Sequence, residues 1–378
     1  MWSFRALSRI DFRVIPIILA LMAISLLVIS SYSIELGTDF SEEGFFTPQV
    51  KRQLEGFLLG AVVFVLVAGF DYHKLREWTW FFYIFMLLTL IGLFFTDSIQ
   101  RVNRWYKLPL IGINFQPSEY AKLVVVLTLS WFLERRRSSC SSLSTALLGG
   151  VIVGIPFLLI LKQPDLGTAL VLFPITLVMF YFGDIHRTIL KAMSLLGIAV
   201  LILVGLIFSG ILSHEEIRPY ATHVLKDYQF DRLDPNTYHQ KASVIAIAIG
   251  GLTGSGWKKS SFGGNGYLPA PYTDSVFPAF GEEFGFIGLM FLLALYYALL
   301  YFSFQVTATA KDEFGRLLSA GIAVYLAMHI LVNIGMMCGL LPITGVPLVL
   351  VTYGGSSSLA TMAALGLLQS VYSRRFMF

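Results

Sequence analysis

The run Val14-Ile15-Pro16-Ile17-Ile18-Leu19-Ala20-Leu21-Met22-Ala23-Ile24-Ser25-Leu26-Leu27-Val28-Ile29-Ser30 carries no charge, and Arg5, Arg9 and Arg13 stand before it. Basic residues followed by an apolar run also describe a secretion signal. This run, however, is long enough to cross a hydrocarbon layer roughly 30 Å thick, and no small-residue cleavage pattern follows it. We read it as a first transmembrane helix.

The rest of the chain repeats the pattern. Of its 378 residues, 56% are hydrophobic and 13% charged. That is about half the charge of a typical soluble protein. A soluble fold of this size would lack the charges to solvate its surface, whereas lipid tolerates apolar outward faces. The fold class is therefore all-α, a polytopic membrane protein forming one unit over residues 1–378. Apolar runs predict about ten spans: Val14–Ser33, Gln53–Phe70, Trp78–Phe95, Glu119–Leu133, Ala146–Leu161, Leu166–Gly183, Lys191–Leu212, Phe284–Val306, Leu317–Leu341 and Gly345–Tyr372. Glu119–Leu133 is short, and Pro164 marks a very tight turn between two others.

Charge orients the bundle. An even count puts on one side Arg5, Arg9, Arg13, Lys74, Arg76, Arg135, Arg136, Arg137, Arg187, Lys191, Lys311, Arg316, Arg374 and Arg375. The opposite short loops hold only Lys51, Arg52, Arg101, Arg104, Lys107 and Lys162. The richer side, with both termini, is expected to be cytoplasmic. The net charge of +4 forms no basic stripe, which argues against nucleic-acid binding. Cys140 and Cys338 fall at opposite membrane faces and predict neither a disulfide nor a metal site.

One connector is long. Residues 213–283 form a polar, Gly- and Pro-bearing extracytoplasmic loop, and loops of that length are usually functional or disordered. Its apolar stretch Ala242–Leu252 and its Tyr220, Tyr228, Trp257, Tyr267 and Tyr272 predict amphipathic or re-entrant structure on the membrane surface. Within it, Gly250-Gly251-Leu252-Thr253-Gly254-Ser255-Gly256-Trp257-Lys258-Lys259 departs from a Walker loop, because Trp257 stands where lysine is needed. A phosphate cradle and a flexible hinge both stay open. His186, His214, His223 and His239 show no metal-ligand spacing.

Ionisable groups inside apolar spans cost at least about 2.5 kcal/mol each and so mark candidate sites. Glu119 and Lys122 lie three apart, share a helix face and are predicted to pair, either structurally or at a site. Asp165 opens the next helix, where a carboxylate is stabilising in its own right. Glu282 and Glu283 are expected to favour the N-terminus of a helix at Phe284.

In order and spacing, these stretches resemble the SEDS family, and within it the RodA type, over nearly the whole chain. The resemblance rests on Arg104-Trp105 with Gln116-Pro117-Ser118-Glu119 and Ala121-Lys122, and on Gln163-Pro164-Asp165-Leu166-Gly167-Thr168. It continues through Leu268-Pro269, Thr273-Asp274, Gly281-Glu282-Glu283-Phe284-Gly285 and Asn333-Ile334-Gly335. Leu341-Pro342, Gly345-Val346-Pro347-Leu348 and Tyr353-Gly354-Gly355-Ser356 complete it. The stretch from Gly345 resembles the elongation branch more than the FtsW division branch. Tyr272, Ala270, Ser275, Val349 and Thr352 depart from the family pattern.

The resemblance implies a peptidoglycan glycosyltransferase of the bacterial cytoplasmic membrane. Such proteins polymerise lipid II, an undecaprenyl-diphosphate-linked disaccharide peptide, beside a class B penicillin-binding protein and the elongation machinery. Asp274 matches the family aspartate and is the expected catalytic base. A single carboxylate suffices for an inverting transfer from a diphosphate donor. The leaving diphosphate needs cations. Lys122, Arg104, Arg52 and Arg232 are candidates, with a divalent ion (Mg or Mn) as another possibility. Gln116, Glu119, Asp165 and Ser356 complete the expected substrate-binding set, Glu119 by positioning Lys122 or lining a polar cavity. The competing readings are a lipid II flippase and a non-catalytic scaffold for the transpeptidase.

Overall fold

A computed structural model describes residues 2–32, 44–95, 104–108, 113–163, 165–221 and 230–376. Arg101, Pro164, His223 and Tyr228 lie outside the described residues. The helices are α1 (Phe4–Leu7), α2 (Val14–Tyr32), α3 (Pro48–Gly69), α4 (Leu75–Gly92), α5 (Pro117–Arg135), α6 (Leu143–Lys162) and α7 (Leu166–Phe182). They continue as α8 (Arg187–Phe208), α9 (His214–Ala221), α10 (Tyr238–Gly250), α11 (Val276–Thr309), α12 (Glu313–Met337) and α13 (Gly355–Ser373). Among the described residues, one short antiparallel strand pair, β1 (Tyr106–Leu108) with β2 (Ile113–Phe115), pairs Tyr106 with Phe115.

Local chemistry sets the helix starts. Thr47, Ser142, Asp165 and Asp312 each accept a hydrogen bond from a backbone N–H in the first turn of α3, α6, α7 and α12. Pro48 and Pro117 sit in first turns, where the missing N–H is harmless.

Each of the ten predicted spans contains one long helix. Among the described residues, seven candidate spans are long and apolar enough to cross a membrane: the Tyr72–Phe95 stretch that contains α4, and α2, α3, α6, α8, α11 and α12. Of the other three, α7 is 17 residues long, while α5 and α13 carry buried Ser, Thr, Gln, Glu and Lys side chains. Those polar groups are tolerable because α5 and α13 are enclosed by protein instead of lipid. α12 is the hub: it packs on α5, α7, α10, α11 and α13. α8 is the opposite case, touching α7 and burying only Ile207.

Hydrogen bonds bring both described chain ends to one end of the bundle. Ser3 N–H donates to Gly69 O, Asp11 N–H to Gln369 Oε1, and Arg374 to Gly69 O. We call this the terminal face and the other the loop face.

Three boundaries differ from the reading of hydrophobicity. The predicted span Gly345–Tyr372 is helical only from Gly355. Before it the chain runs irregularly through Gly345 (φ 73°), which is exposed, and Leu350 (φ 58°), which is buried with Val346, Leu348, Val349 and Val351 in protein, where non-helical backbone can find partners. The long loop ends at Ser275, because α11 begins at Val276. Glu282 and Glu283 therefore lie inside a helix, not before one.

The third difference explains the glycine-rich piece. α11 breaks at Gly285 (φ 63°, ψ −164°), and residues 251–256 insert into the break. Ser255 N–H and Gly256 N–H donate to the Glu282 and Glu283 carbonyls, and Phe286 N–H and Ile287 N–H donate to Gly251 O and Leu252 O. A Cβ on Gly254 would come within 2.1 Å of the Glu283 carbonyl oxygen, so only glycine permits the approach. The Ser255 and Gly256 amides are committed to this splice and are not a phosphate cradle.

Candidate active site

Asp274 sits at the loop face, two residues before α11, on a turn closed by Thr273 N–H and Ser275 N–H donating to Ala270 O. The irregular 345–353 stretch forms its wall. Tyr353 N–H donates to Tyr272 O (2.9 Å), Thr352 Oγ1 to Thr273 O (3.3 Å) and Asn333 Nδ2 to Asp274 O (3.4 Å). A Cβ on Gly345 would lie 3.9 Å from Asp274 Oδ2. The backbone of the aspartate is thus fixed on three sides.

Its carboxylate is not. Among the described residues it accepts no hydrogen bond; it feels His239, Arg232 and Arg104 only through space. Burial raises its pKa above the ordinary 3.8, and those three groups pull the other way without cancelling the rise. His239, on α10, holds Ser275 Oγ at 2.7 Å, and burial lowers its pKa against the pull of Asp274.

A second polar cluster lies between α5, α7 and α13. Asp165 Oδ2 accepts from Ser118 Oγ (2.9 Å) and Gln116 Nε2 (3.2 Å) while its other oxygen caps α7. Gln116 N–H donates to Ser356 Oγ (3.0 Å), and Trp105 Nε1–H to Gln116 Oε1 (3.1 Å) across the hairpin. Arg104 Nε donates to Gln163 O (3.1 Å), so the same guanidinium that acts on Asp274 is anchored at the edge of this cluster. Trp257 lies far along the loop, bonded to Leu27 O, and takes no part.

A third group lies deeper. Lys122 Nζ pairs with Glu119 Oε1 at 2.8 Å, as the three-residue spacing predicts, and both are fully enclosed. The ammonium also lies 2.7 Å from His329 Nε2 and over the Tyr325 ring. Lys122 is therefore committed to protein partners, not free to face a diphosphate. Arg52 is exposed at the start of the second turn of α3, and no hydrogen bond or ion pair joins it to the other groups among the described residues. Arg104 and Arg232 remain as the cations at the carboxylate.

No group of three or more His, Cys, Asp or Glu side chains among the described residues is arranged to hold a metal ion. Around Asp274 a single carboxylate faces two guanidiniums, a donor set that does not suit a divalent cation. Hydrophobicity and local motifs missed His329 and the role of Asn333. Both are polar residues within an apolar helix and four apart, a signal that marks one shared face.

A helical membrane domain with a loop-borne carboxylate set among arginines defines a class: polytopic membrane proteins with a polar site at one face. The family model described as Cell cycle protein (FtsW, RodA, SpoVE) matches residues 12–375. The chain is 34% identical over 373 residues to the peptidoglycan glycosyltransferase MrdB of Escherichia coli K12, covering 98% of this chain and 95% of that one. It is 29% identical to the peptidoglycan glycosyltransferase RodA of Treponema pallidum, covering 98% and 99%. Among solved structures it resembles a chain of a peptidoglycan synthase complex that coordinates polymerization and crosslinking (TM-score 0.77, 27% identity, 98% and 99% covered). It also resembles the rod shape determining protein RodA of Thermus thermophilus (TM-score 0.68, 25% identity, 98% of each). The chain belongs to the FtsW/RodA/SpoVE family and is of the RodA type.

Proposed function

We propose that this protein is a peptidoglycan glycosyltransferase that polymerises lipid II during cell elongation, with Asp274 as general base. The observation that carries the reading is the carboxylate of Asp274. It is held by its backbone, left without a hydrogen bond among the described residues, and raised in pKa by burial. A base must be unpaired enough to take a proton and basic enough to keep it.

In the step we envisage, the acceptor sugar's hydroxyl gives its proton to Asp274 as its oxygen bonds to the donor's anomeric carbon. The bond from that carbon to the diphosphate breaks with inversion, and the electron pair leaves on the diphosphate. Arg104 and Arg232 are the cations that would meet this charge. Gln116, Asp165 and Ser356 form the adjacent polar cluster that would bind donor or acceptor, and Arg52 would act at most on approach. A lipid-linked substrate suits this placement, since α10, whose first turn brings His239 to Ser275, exposes Val244, Ile245 and Ile249 along its length.

The same reading gives the setting. The terminal face, which gathers the arginine excess, would be cytoplasmic, and the loop face would open outward from the bacterial cytoplasmic membrane. A class B penicillin-binding protein is the partner that would crosslink the strands. The test is to purify the protein with its cognate transpeptidase and supply labelled lipid II in detergent. Glycan strands that disappear with Asp274→Ala support the reading. Strands that persist remove Asp274 as base, and none from wild type, with lipid II crossing sealed vesicles, would favour a flippase.

A further inference from the structure

His329 and Asn333 stand one turn apart on α12, fully enclosed, and both reach the irregular segment that walls the Asp274 site. His329 Nδ1 lies 3.1 Å from Pro347 O, and Asn333 Nδ2 lies 2.8 Å from Val346 O. A carbonyl only accepts, so Nδ1 carries the imidazole proton and Nε2 is left as the acceptor. That acceptor is the atom 2.7 Å from Lys122 Nζ. The ring is therefore a two-ended strut, with the ammonium of the buried ion pair on one nitrogen and the wall of the site on the other.

Asn333 completes the path. Its amide spans Val346 O and Asp274 O, so one side chain holds both the wall and the residue facing it. The sequence of contacts runs from Glu119 to Lys122, His329, Pro347 and Val346, then through Asn333 to Asp274. Gly345, next to Val346, is where the wall meets Asp274 Oδ2.

Stability alone does not account for this arrangement. Glu119 Oε2 and Asn333 Oδ1 are buried acceptors with no partner among the described residues. Unsatisfied buried polar atoms are costly, and an apolar core would avoid them. A network kept despite that cost is suited to fixing geometry.

We infer that His329 and Asn333 are positioning residues, which set the carboxylate of Asp274 against Arg104 and Arg232 by coupling the buried Glu119–Lys122 pair to the 345–348 wall. This rests on the reading of Asp274 as base. The groups facing Asp274 are His239 from α10, Arg232 from the short turn Asp231–Leu233 and Arg104 ahead of β1. Those facing His329 are Lys122 and Glu119 from α5 and Tyr325 from its own helix. None of the last three touches Asp274, so an effect of His329 on it travels through the 345–348 wall or along α12 to Asn333.

The experiment compares wild type, His329→Leu, His329→Gln and Asp274→Asn as full-length protein with its transpeptidase. Two readouts are taken: strand formation from lipid II, and carbodiimide labelling of Asp274 against pH. Leucine removes both ends of the strut, while glutamine keeps one donor and one acceptor. Because a misplacement of about 1 Å can cost on the order of 100-fold in rate, His329→Leu should lower kcat at least about tenfold. Its KM should change less than about threefold, and the pH of half-labelling of Asp274 should move by roughly half a unit or more. His329→Gln should restore most of both. A folded His329→Leu protein with wild-type kcat and labelling pH overturns the inference. So does a loss of kcat with unchanged labelling pH, which would mark a packing role only. If instead Asp274→Asn keeps activity, the reading of the base fails, while the labelling shift still decides whether the strut exists.

Discussion

Two aspartates at opposite ends of the bundle show how this fold separates a reactive carboxylate from a structural one. Asp312, at the terminal face, caps α12 through Gly315 N–H and receives Tyr72 Oη, Arg76 Nη2 (2.7 Å) and the ring of His73 (3.6 Å). Arg76 goes on to Glu134 at 2.7 Å, so α4, α5 and α12 are tied at one point. Burial alone would push Asp312 up, yet the hydrogen bonds from His73, Tyr72 and Gly315 carry it down to about 2. Asp274 is also withdrawn from water, but its neighbours act at a distance, and burial wins. Direct hydrogen bonds to the ionised form outweigh burial at Asp312, whereas the charges facing Asp274 through space favour ionisation by less than burial opposes it.

The largest expected effect comes from removing the reactive member. Asp274→Asn should lower strand formation by about 10³-fold, within the range that general bases contribute. Its thermal unfolding in detergent should not fall and should rise slightly near neutral pH. A raised pKa means that the ionised form is the less favourable one in the fold, so its loss above the ordinary value removes a cost. A marked drop in Tm would mean that Asp274 is structural after all.

Asp312→Ala should do the reverse. It removes a cap and a charged partner, so destabilisation on the order of 3 kcal/mol is expected, with kcat per folded molecule within about threefold of wild type. Because its pKa is depressed, the stabilisation is present above the ordinary 3.8 and is lost as pH falls toward about 2. Unfolding curves of wild type and Asp312→Ala should therefore converge at acid pH. Curves that stay parallel would contradict that assignment.

Two smaller changes sharpen the contrast. Gly285→Ala puts a side chain into the splice, where its Cβ would meet Gly254 N at 2.3 Å, at positive φ. A cost of about 1–3 kcal/mol from backbone strain, or more if the loop is expelled, should appear as lower Tm with Asp274 labelling shifted as well. Arg52→Ala should be nearly silent, within about twofold in kcat/KM, since an exposed side chain without a fixed partner among the described residues contributes little. A tenfold loss there would return Arg52 to the site.

Much of this was legible in the order of residues. Apolar runs locate the ten long helices because lipid and backbone hydrogen bonding leave few alternatives. The Glu119–Lys122 pair and the Asp165 cap follow from spacing within a single helix. The break at Gly285 was hidden, because its partner strand of amides comes from residues 251–256, some thirty positions away, and hydrophobicity runs unbroken across it. The irregular stretch from Gly345 to Gly354 was hidden for a similar reason: it is apolar enough to read as helix, and only its tertiary partners show why it is not. His329 and Asn333 lay in plain view as polar residues in an apolar run, but what they hold depends on that hidden stretch.

The central claim, that Asp274 is the base, is tested most directly by the pH dependence of strand formation by the wild-type complex. An ionised carboxylate is required, so kcat should fall as pH is lowered, with a midpoint above the ordinary 3.8 of aspartate. Arg232→Gln removes one of the charges that favour ionisation and should move that midpoint upward. A rate independent of pH across the acid range, or a midpoint unmoved by the loss of Arg232, would contradict the account.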